Sequence, residues 1–368
     1  MKLAALALLT TLSSAAMSKT SHVYIATQNP EKMGITLAQF DSATGTLTAP
    51  AMAIETRDPA HFTLSADGQH LYMCNTGTPG GVSAFSVDRK SGALTFRNYI
   101  ESQGRGPSYV SVDATGRFVL DANYGGGYVE VLSLQKDGSL GAQVSFVQHA
   151  GSSVHPQRQN KPYAHWLRTD PSNQYALAAD LGMDQIVVYR FDAATGSLTP
   201  NNPPAAKVAP GSGPRHLAYH PNGRWIYAVQ ELANEVFAFN WDAGKGVLTQ
   251  FQAVKTLADT FKDPSTAAEI AVRADGRFLY VTNRGEDSVV VYAIDAKSGE
   301  LSFRQRVPSG GKVPRYFSID PSNQWLLVAN QEGGNVVIFR IDANTGELSQ
   351  KGPPVALPRP MGVVFAPH

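Results

Sequence analysis

The sequence predicts an all-β, seven-bladed β-propeller whose last blade is closed by strands from the N- and C-terminal parts of the chain. Three observations predict it: a turn motif recurring at blade spacing, a strand–turn–strand unit recurring between those turns, and one such unit split between the two ends. The turn reads DSATGTL at 41, DRKSGAL at 88, DAATGSL at 192, DAGKGVL at 242, DAKSGEL at 295 and DANTGEL at 342, with QKDGSL at 135 as a degenerate seventh copy. Successive copies lie roughly 50 residues apart, a propeller spacing and not that of a helical solenoid.

The unit between the turns has one grammar: a Pro, an alternating apolar run, a PxG or xDG turn, a second apolar run, then Asn or a relative. Six copies are complete: DPAHFTLSADGQHLYMCN, GPSYVSVDATGRFVLDAN, PYAHWLRTDPSNQYALAAD, GPRHLAYHPNGRWIYAVQE, AAEIAVRADGRFLYVTNR and VPRYFSIDPSNQWLLVAN. Each reads as a tight hairpin. RPMGVVFAPH supplies the first half of a seventh, while HVYIATQ and the run from Gly34 to Phe40 supply the second half. Pairing these halves closes the ring and removes the open sheet edge.

Composition narrows the class further. The chain has 368 residues, 43% of them hydrophobic, with 33 Gly and 23 Pro, which suits many short strands joined by turns. Thirty-one Lys and Arg against 30 acidic residues leave a net charge of +1, so no field draws nucleic acid or an anionic membrane, and neither is expected as a partner. The single cysteine, Cys74, sits in the apolar run HLYMCN and reads as a buried, inert thiol. Residues 1–17, MKLAALALLTTLSSAAM, have the layout of a secretory signal peptide, with Lys2 before a short apolar core and small residues at Ala15 and Ala16. This implies a periplasmic or secreted protein with residues 18–368 as one propeller domain. A start at Met17 would instead make the protein cytoplasmic.

The repeat register places side chains. Eight residues before the Gly or Asn of each hairpin turn stand Ala60, Ser108, His165, Arg215, Ala268 and Arg315, with Met361 matching in the closing blade. Eight residues after it stand Thr76, Tyr124, Leu181, Glu231, Arg284 and Gln331, with Gln28 matching. Entrance and exit of an antiparallel hairpin lie side by side, so both sets ring one mouth of the central channel. The charged members, His165, Arg215, Glu231, Arg284 and Arg315, fall on one arc, whereas a requirement of the fold would repeat in every blade. On that arc the loop HAGSSVHPQRQNKPYAH is long and is expected to wall a pocket. His61, His216 and Glu269, one position further along, are expected to point into blade interfaces.

These residue types suit ester chemistry. Hydrolysis of a cyclic ester needs a base to activate water, a role open to Glu231 or His165, and donors for the developing oxyanion, a role open to Arg215 and Arg284, which could equally fork onto a carboxylate or phosphate of the substrate. Arg315, Tyr124, Asp180 and Gln331 are assigned to substrate binding, Asp180 with the alternative of a turn or inter-blade hydrogen bonder. No GxSxG nucleophile motif is present. The rim offers only Glu231 and Asp180 as carboxylates and one histidine at that depth, so no metal and no cofactor are expected.

GPRHLAYHPNGRWIYAVQE, the loop GSSVxPxRQxxPxAH and AEIAVRADGRFLYVTNR resemble the lactonase family of seven-bladed propellers, of the bacterial 6-phosphogluconolactonase and carboxymuconate lactonising type. The resemblance runs from about His22 to His368. It implies that His165, Arg215, Glu231 and Arg284 are the active-site residues and that the substrate is a small-molecule lactone, of the anionic sugar type. Tyr163 departs from the pattern, standing where many relatives have a first His. A muconate cycloisomerase and a noncatalytic scaffold are the alternatives.

Overall fold

In the computed structural model the described residues are 20–367, so the signal-peptide reading of residues 1–17 lies outside them. All regular structure among them is strand, arranged in seven antiparallel sheets around an axis. Blade one consists of Pro59–Leu64, His70–Asn75, Gly81–Val87 and Leu94–Glu101, ordered from the axis outward. The innermost strands of blades two to six are Tyr109–Val112, Ala164–Thr169, Pro214–Tyr219, Thr266–Val272 and Pro314–Ile319. Blade seven is the split one. Its innermost strand, Pro360–Phe365, pairs with Thr20–Thr27, Val23 opposite Phe365 and Thr27 opposite Pro360.

Each blade is sandwiched between two others, so both faces of its sheet are covered. This explains why the second strands read as continuous buried runs, such as Trp225–Gln230, instead of alternating. Side chains still alternate in destination: Tyr227 and Val229 pack toward blade five, Ile226 and Ala228 toward blade three. Among the described residues the hydrophobic core is seven clusters, one per blade interface. The ring is therefore held by contacts between neighbours. Cys74 is free and buried in one of them.

The repeated turn is an inter-blade clasp. Tyr227 Oη donates to Gly299 O at 2.8 Å and Tyr280 Oη to Gly346 O at 3.0 Å, in each case from the second strand of one blade to the turn of the next. Tyr24 and Tyr72 do the same to Gly92 and Gly138. At Gly346 the backbone has φ +73° and a Cβ would sit 2.3 Å from the Phe278 ring. The motif's glycine is thus needed both for a left-handed conformation and for the aromatic lying against it.

Candidate active site

The axial mouth follows from an irregularity in the innermost strands. In blades three, four and six the pairing with the second strand skips one residue, between Ala164 and Trp166, Pro214 and His216, and Pro314 and Tyr316. The extra residues are His165, Arg215 and Arg315. A β-bulge takes its extra residue out of the ladder and re-aims its side chain, here at the end of the strand facing the mouth. Met361 occupies the same place in blade seven, between the paired Pro360 and Gly362.

A cavity of about 550 Å³ opens at this mouth. Both register sets contribute to it: Ser108, His165, Arg315 and Met361 from the entrances, and Gln28, Thr76, Tyr124, Glu231 and Arg284 from the exits. Its cationic side chains are Arg105, Arg158, Lys161, Arg284 and Arg315, against the single carboxylate Glu231. Such a cavity selects for an anion.

Glu231, 2% exposed, is the hub. Arg158 Nη2 donates to its Oε1 at 2.5 Å, while Arg215 Nε and Arg284 Nη2 each approach Oε2 at 2.9 Å. Burial alone would raise this carboxyl, but Arg284, Arg215, His165 and Arg158 together hold it far below the usual carboxylate range. Burial and the neighbouring Arg284 push Arg215 down to about 9, so it remains cationic at neutral pH. Arg315 has no hydrogen-bond or ion-pair partner among the described residues. With Arg105, which likewise has none, it is left over for a ligand.

His165 is the other reactive group. Burial, reinforced by Arg215 and His216, holds its imidazole neutral, well below the usual histidine value. Among the described residues its Nδ1 is buried without a partner and no group bonds its other nitrogen. Tyr124 stands edge-on to it at 5.4 Å between ring centroids and receives a hydrogen bond from Arg158 at 3.2 Å.

Two of the expected binding residues are not brought into the cavity. Asp180 is fully buried; its Oδ1 accepts from the backbone N–H groups of Tyr163, Gly182 and Met183, and its Oδ2 lies 2.6 Å from His149 Nδ1. It ties both ends of the long 149–163 loop to blade three, the inter-blade alternative. The side chain of Gln331 turns away to Glu332 at 3.0 Å. His61, His216 and Glu269 also differ from expectation. They face the axis, where His61 of blade one lies 6.4 Å from His216 of blade four, and with Tyr109 and Tyr316 they fill the channel below the mouth. Residue 61 can reach residue 216 only across the centre of the ring.

Arg105, Arg158 and Lys161 were not singled out by the sequence. Arg158 and Lys161 lie in the loop expected to wall the pocket, but that loop has no repeat to orient its side chains. Tyr163, the departure from the family pattern, lines the cavity and donates from its hydroxyl to Asn160 Oδ1 at 2.8 Å. Among the described residues no group of three or more His, Cys, Asp or Glu is disposed to hold a metal ion.

A seven-bladed ring with a histidine, a carboxylate and arginines at one mouth defines a class, and the sequence comparison agrees with it. The profile described as "Lactonase, 7-bladed beta-propeller" matches residues 22–365, and the chain belongs to that family. Among individual relatives, it is 39% identical over 290 residues to a 6-phosphogluconolactonase of Bacillus subtilis, covering 78% of this chain and 82% of that protein. A 6-phosphogluconolactonase of Formosa agariphila is 32% identical over 299 residues, covering 79% and 84%. The solved structure of a periplasmic gluconolactonase of Pseudomonas aeruginosa superposes with a TM-score of 0.90 at 31% identity, covering 95% of this chain and 99% of that one.

Proposed function

We propose that the protein hydrolyses a lactone carrying an anionic group, of the 6-phosphogluconolactone type, by acid/base catalysis at this mouth. The observation that carries the reading is the pairing of an unpartnered, neutral His165 with a cavity whose cations outnumber its one carboxylate. His165 is the base: a neutral imidazole accepts the proton of a water molecule attacking the lactone carbonyl and returns it to the ring oxygen as the C–O bond breaks. Glu231 is not suited to that role, because three guanidinium groups already occupy both of its oxygens. Its part is to hold Arg158, Arg215 and Arg284 close together despite their mutual repulsion. Arg284, which lines the cavity, then faces the developing oxyanion with the buried Arg215 behind it on Glu231, while Arg315 and Lys161 receive the substrate's anion.

The names of the relatives support lactone hydrolysis, and the open cavity at the mouth weighs against a scaffold role. The periplasmic naming of the P. aeruginosa neighbour and the layout of residues 1–17 both support export. A panel of phosphorylated and unphosphorylated sugar lactones with product mass analysis tests the proposal. Hydrolysis adds the mass of water, whereas a cycloisomerase conserves mass. Turnover that conserves mass, or none on any lactone, overturns it. In the same assay His165→Asn is expected to lower kcat by roughly 10²–10⁴-fold.

A further inference from the structure

We propose that Glu269, acting through His216, is a positioning residue that holds Arg215 in place for the reaction at the mouth. The inference rests on the reading of this mouth as the reaction site, where Arg215 does not line the cavity but shares Glu231 Oε2 with Arg284, which does. Glu269 lies outside the reactive cavity; it lines the cavity at the opposite end of the channel.

The geometry forms a continuous chain. Both carboxylate oxygens of Glu269 lie 3.1 Å from His216 Nδ1, His216 Nε2 lies 3.3 Å from Arg215 Nη1, and Arg215 Nε lies 2.9 Å from Glu231 Oε2. A guanidinium has donors only, so His216 Nε2 must accept, and the ring proton must sit on Nδ1. A proton there requires an acceptor opposite it, which ionised Glu269 provides. Arg215 Nη1 also donates to Ala268 O at 2.7 Å, the residue beside Glu269. The tautomer of one buried histidine therefore links the carboxylate to the arginine, as partners behind a metal-ligating histidine fix its ring.

Glu269 is placed to respond to pH. The groups facing it are His61 from blade one, Tyr109 from blade two, Arg215 and His216 from blade four, and Arg315 and Tyr316 from blade six; Arg168 of blade three lines the same far cavity. On its own strand, Ile270 N–H donates to Oε1 at 3.0 Å. His61 is pushed down to about 3 and His216 also well down, so both are neutral. Burial pushes Glu269 up to about 7, against the opposing pull of Arg215, His61 and Arg315. Once protonated it donates a hydrogen bond. His216 must then accept at Nδ1 and turn an Nε2–H toward Arg215, setting donor against donor.

The test uses full-length protein with ¹⁵N-labelled histidine, alongside turnover of the best lactone of the panel. Expected in wild type is His216 protonated at Nδ1 on the alkaline side, with its signal and kcat both changing on acidification through about pH 7. Glu269→Leu should abolish that tautomer preference and lower kcat roughly 10²-fold with little change in KM, the size expected of a displaced catalytic group. Glu269→Gln, whose amide oxygen still accepts from Nδ1, should rescue turnover and flatten the acid limb. A Gln variant that keeps the wild-type limb, a folded Leu variant with wild-type kcat, or a His216 protonated on Nε2 would each overturn the proposal. If Glu269→Leu does not fold, the Gln variant and the wild-type spectrum still decide it. The predicted tautomer in a protein that turns over no lactone would uphold the relay and sink only the lactonase reading.

Discussion

Replacing Glu231 by Gln removes the only carboxylate of the mouth cavity while nearly preserving its shape. In the native site three guanidinium groups surround a side chain that is 2% exposed. At an effective dielectric of ~20, each contact contributes about 4 kcal/mol of attraction, most of it offset by desolvation and by repulsion among the arginines. Removing one partner of such a buried group typically costs about 3–5 kcal/mol, because the remaining charges stay uncompensated. With a melting entropy scaling with chain length, that corresponds to a fall in Tm of about 4–7 °C for a domain of this size. The sign with pH follows from the depressed carboxyl. Its stabilising contribution is complete above the ordinary glutamate range and is lost as pH falls below it, so the gap between wild type and Glu231→Gln should narrow in acid. Thermal melts across that range, with and without inorganic phosphate, measure it. Phosphate should stabilise the variant more than wild type, since an anion bound in the cavity supplies negative charge that the variant lacks. A variant with unchanged Tm at neutral pH and no added response to phosphate would refute the view that Glu231 holds the arginines together.

Arg315→Ala removes a buried cavity arginine that has no hydrogen-bond or ion-pair partner among the described residues; it should raise KM for anionic lactones far more than for neutral ones and leave Tm almost unchanged, as a paired kinetic and melting comparison would show. Deleting the last ten residues removes Met361, Val363 and Phe365 from buried positions; at about 1.5–3 kcal/mol each this approaches the whole stability of a domain, and the cooperative melting transition should disappear. Turnover should survive EDTA, and loss restored by calcium would contradict the acid/base reading. Asp121 and Glu130 face each other across two strands of blade two, and among the described residues no donor group bonds either oxygen of Asp121. Burial and then Glu130 push the Asp121 carboxyl well up, so its cost to stability grows as pH rises above the ordinary aspartate range, and Asp121→Asn should raise Tm more at alkaline than at acid pH.

What could be read from the sequence divides along the repeat. The clasp glycines, the hairpin turns and the split blade recur at fixed offsets, so periodicity alone places them, and the same register brings His165, Glu231, Arg284 and Arg315 to one mouth. Asp180 lies one residue short of that register, at the end of a second strand, and its backbone partners turn it into a tie for the long loop. Arg158, which contacts Glu231 most closely, lies in a stretch with no counterpart in other blades, where spacing carries no information about direction. His61, His216 and Glu269 fail for a different reason. The bulge shifts the strand by one residue, and a side chain expected between blades faces the axis.

The split blade has a consequence for the timing of synthesis. Thr27, which bonds Pro358 through its side chain, waits for a partner 331 positions later in the chain. At translation rates of about 5–20 residues per second, that interval is roughly 15–65 s. Throughout it the strand Thr20–Thr27 has an unpaired edge, and its Val23 and Ile25 lack the blade-six residues Trp325 and Leu327 until that blade is made. A chain held open for this long remains threadable, and it is also the period in which a holding chaperone has most to shield.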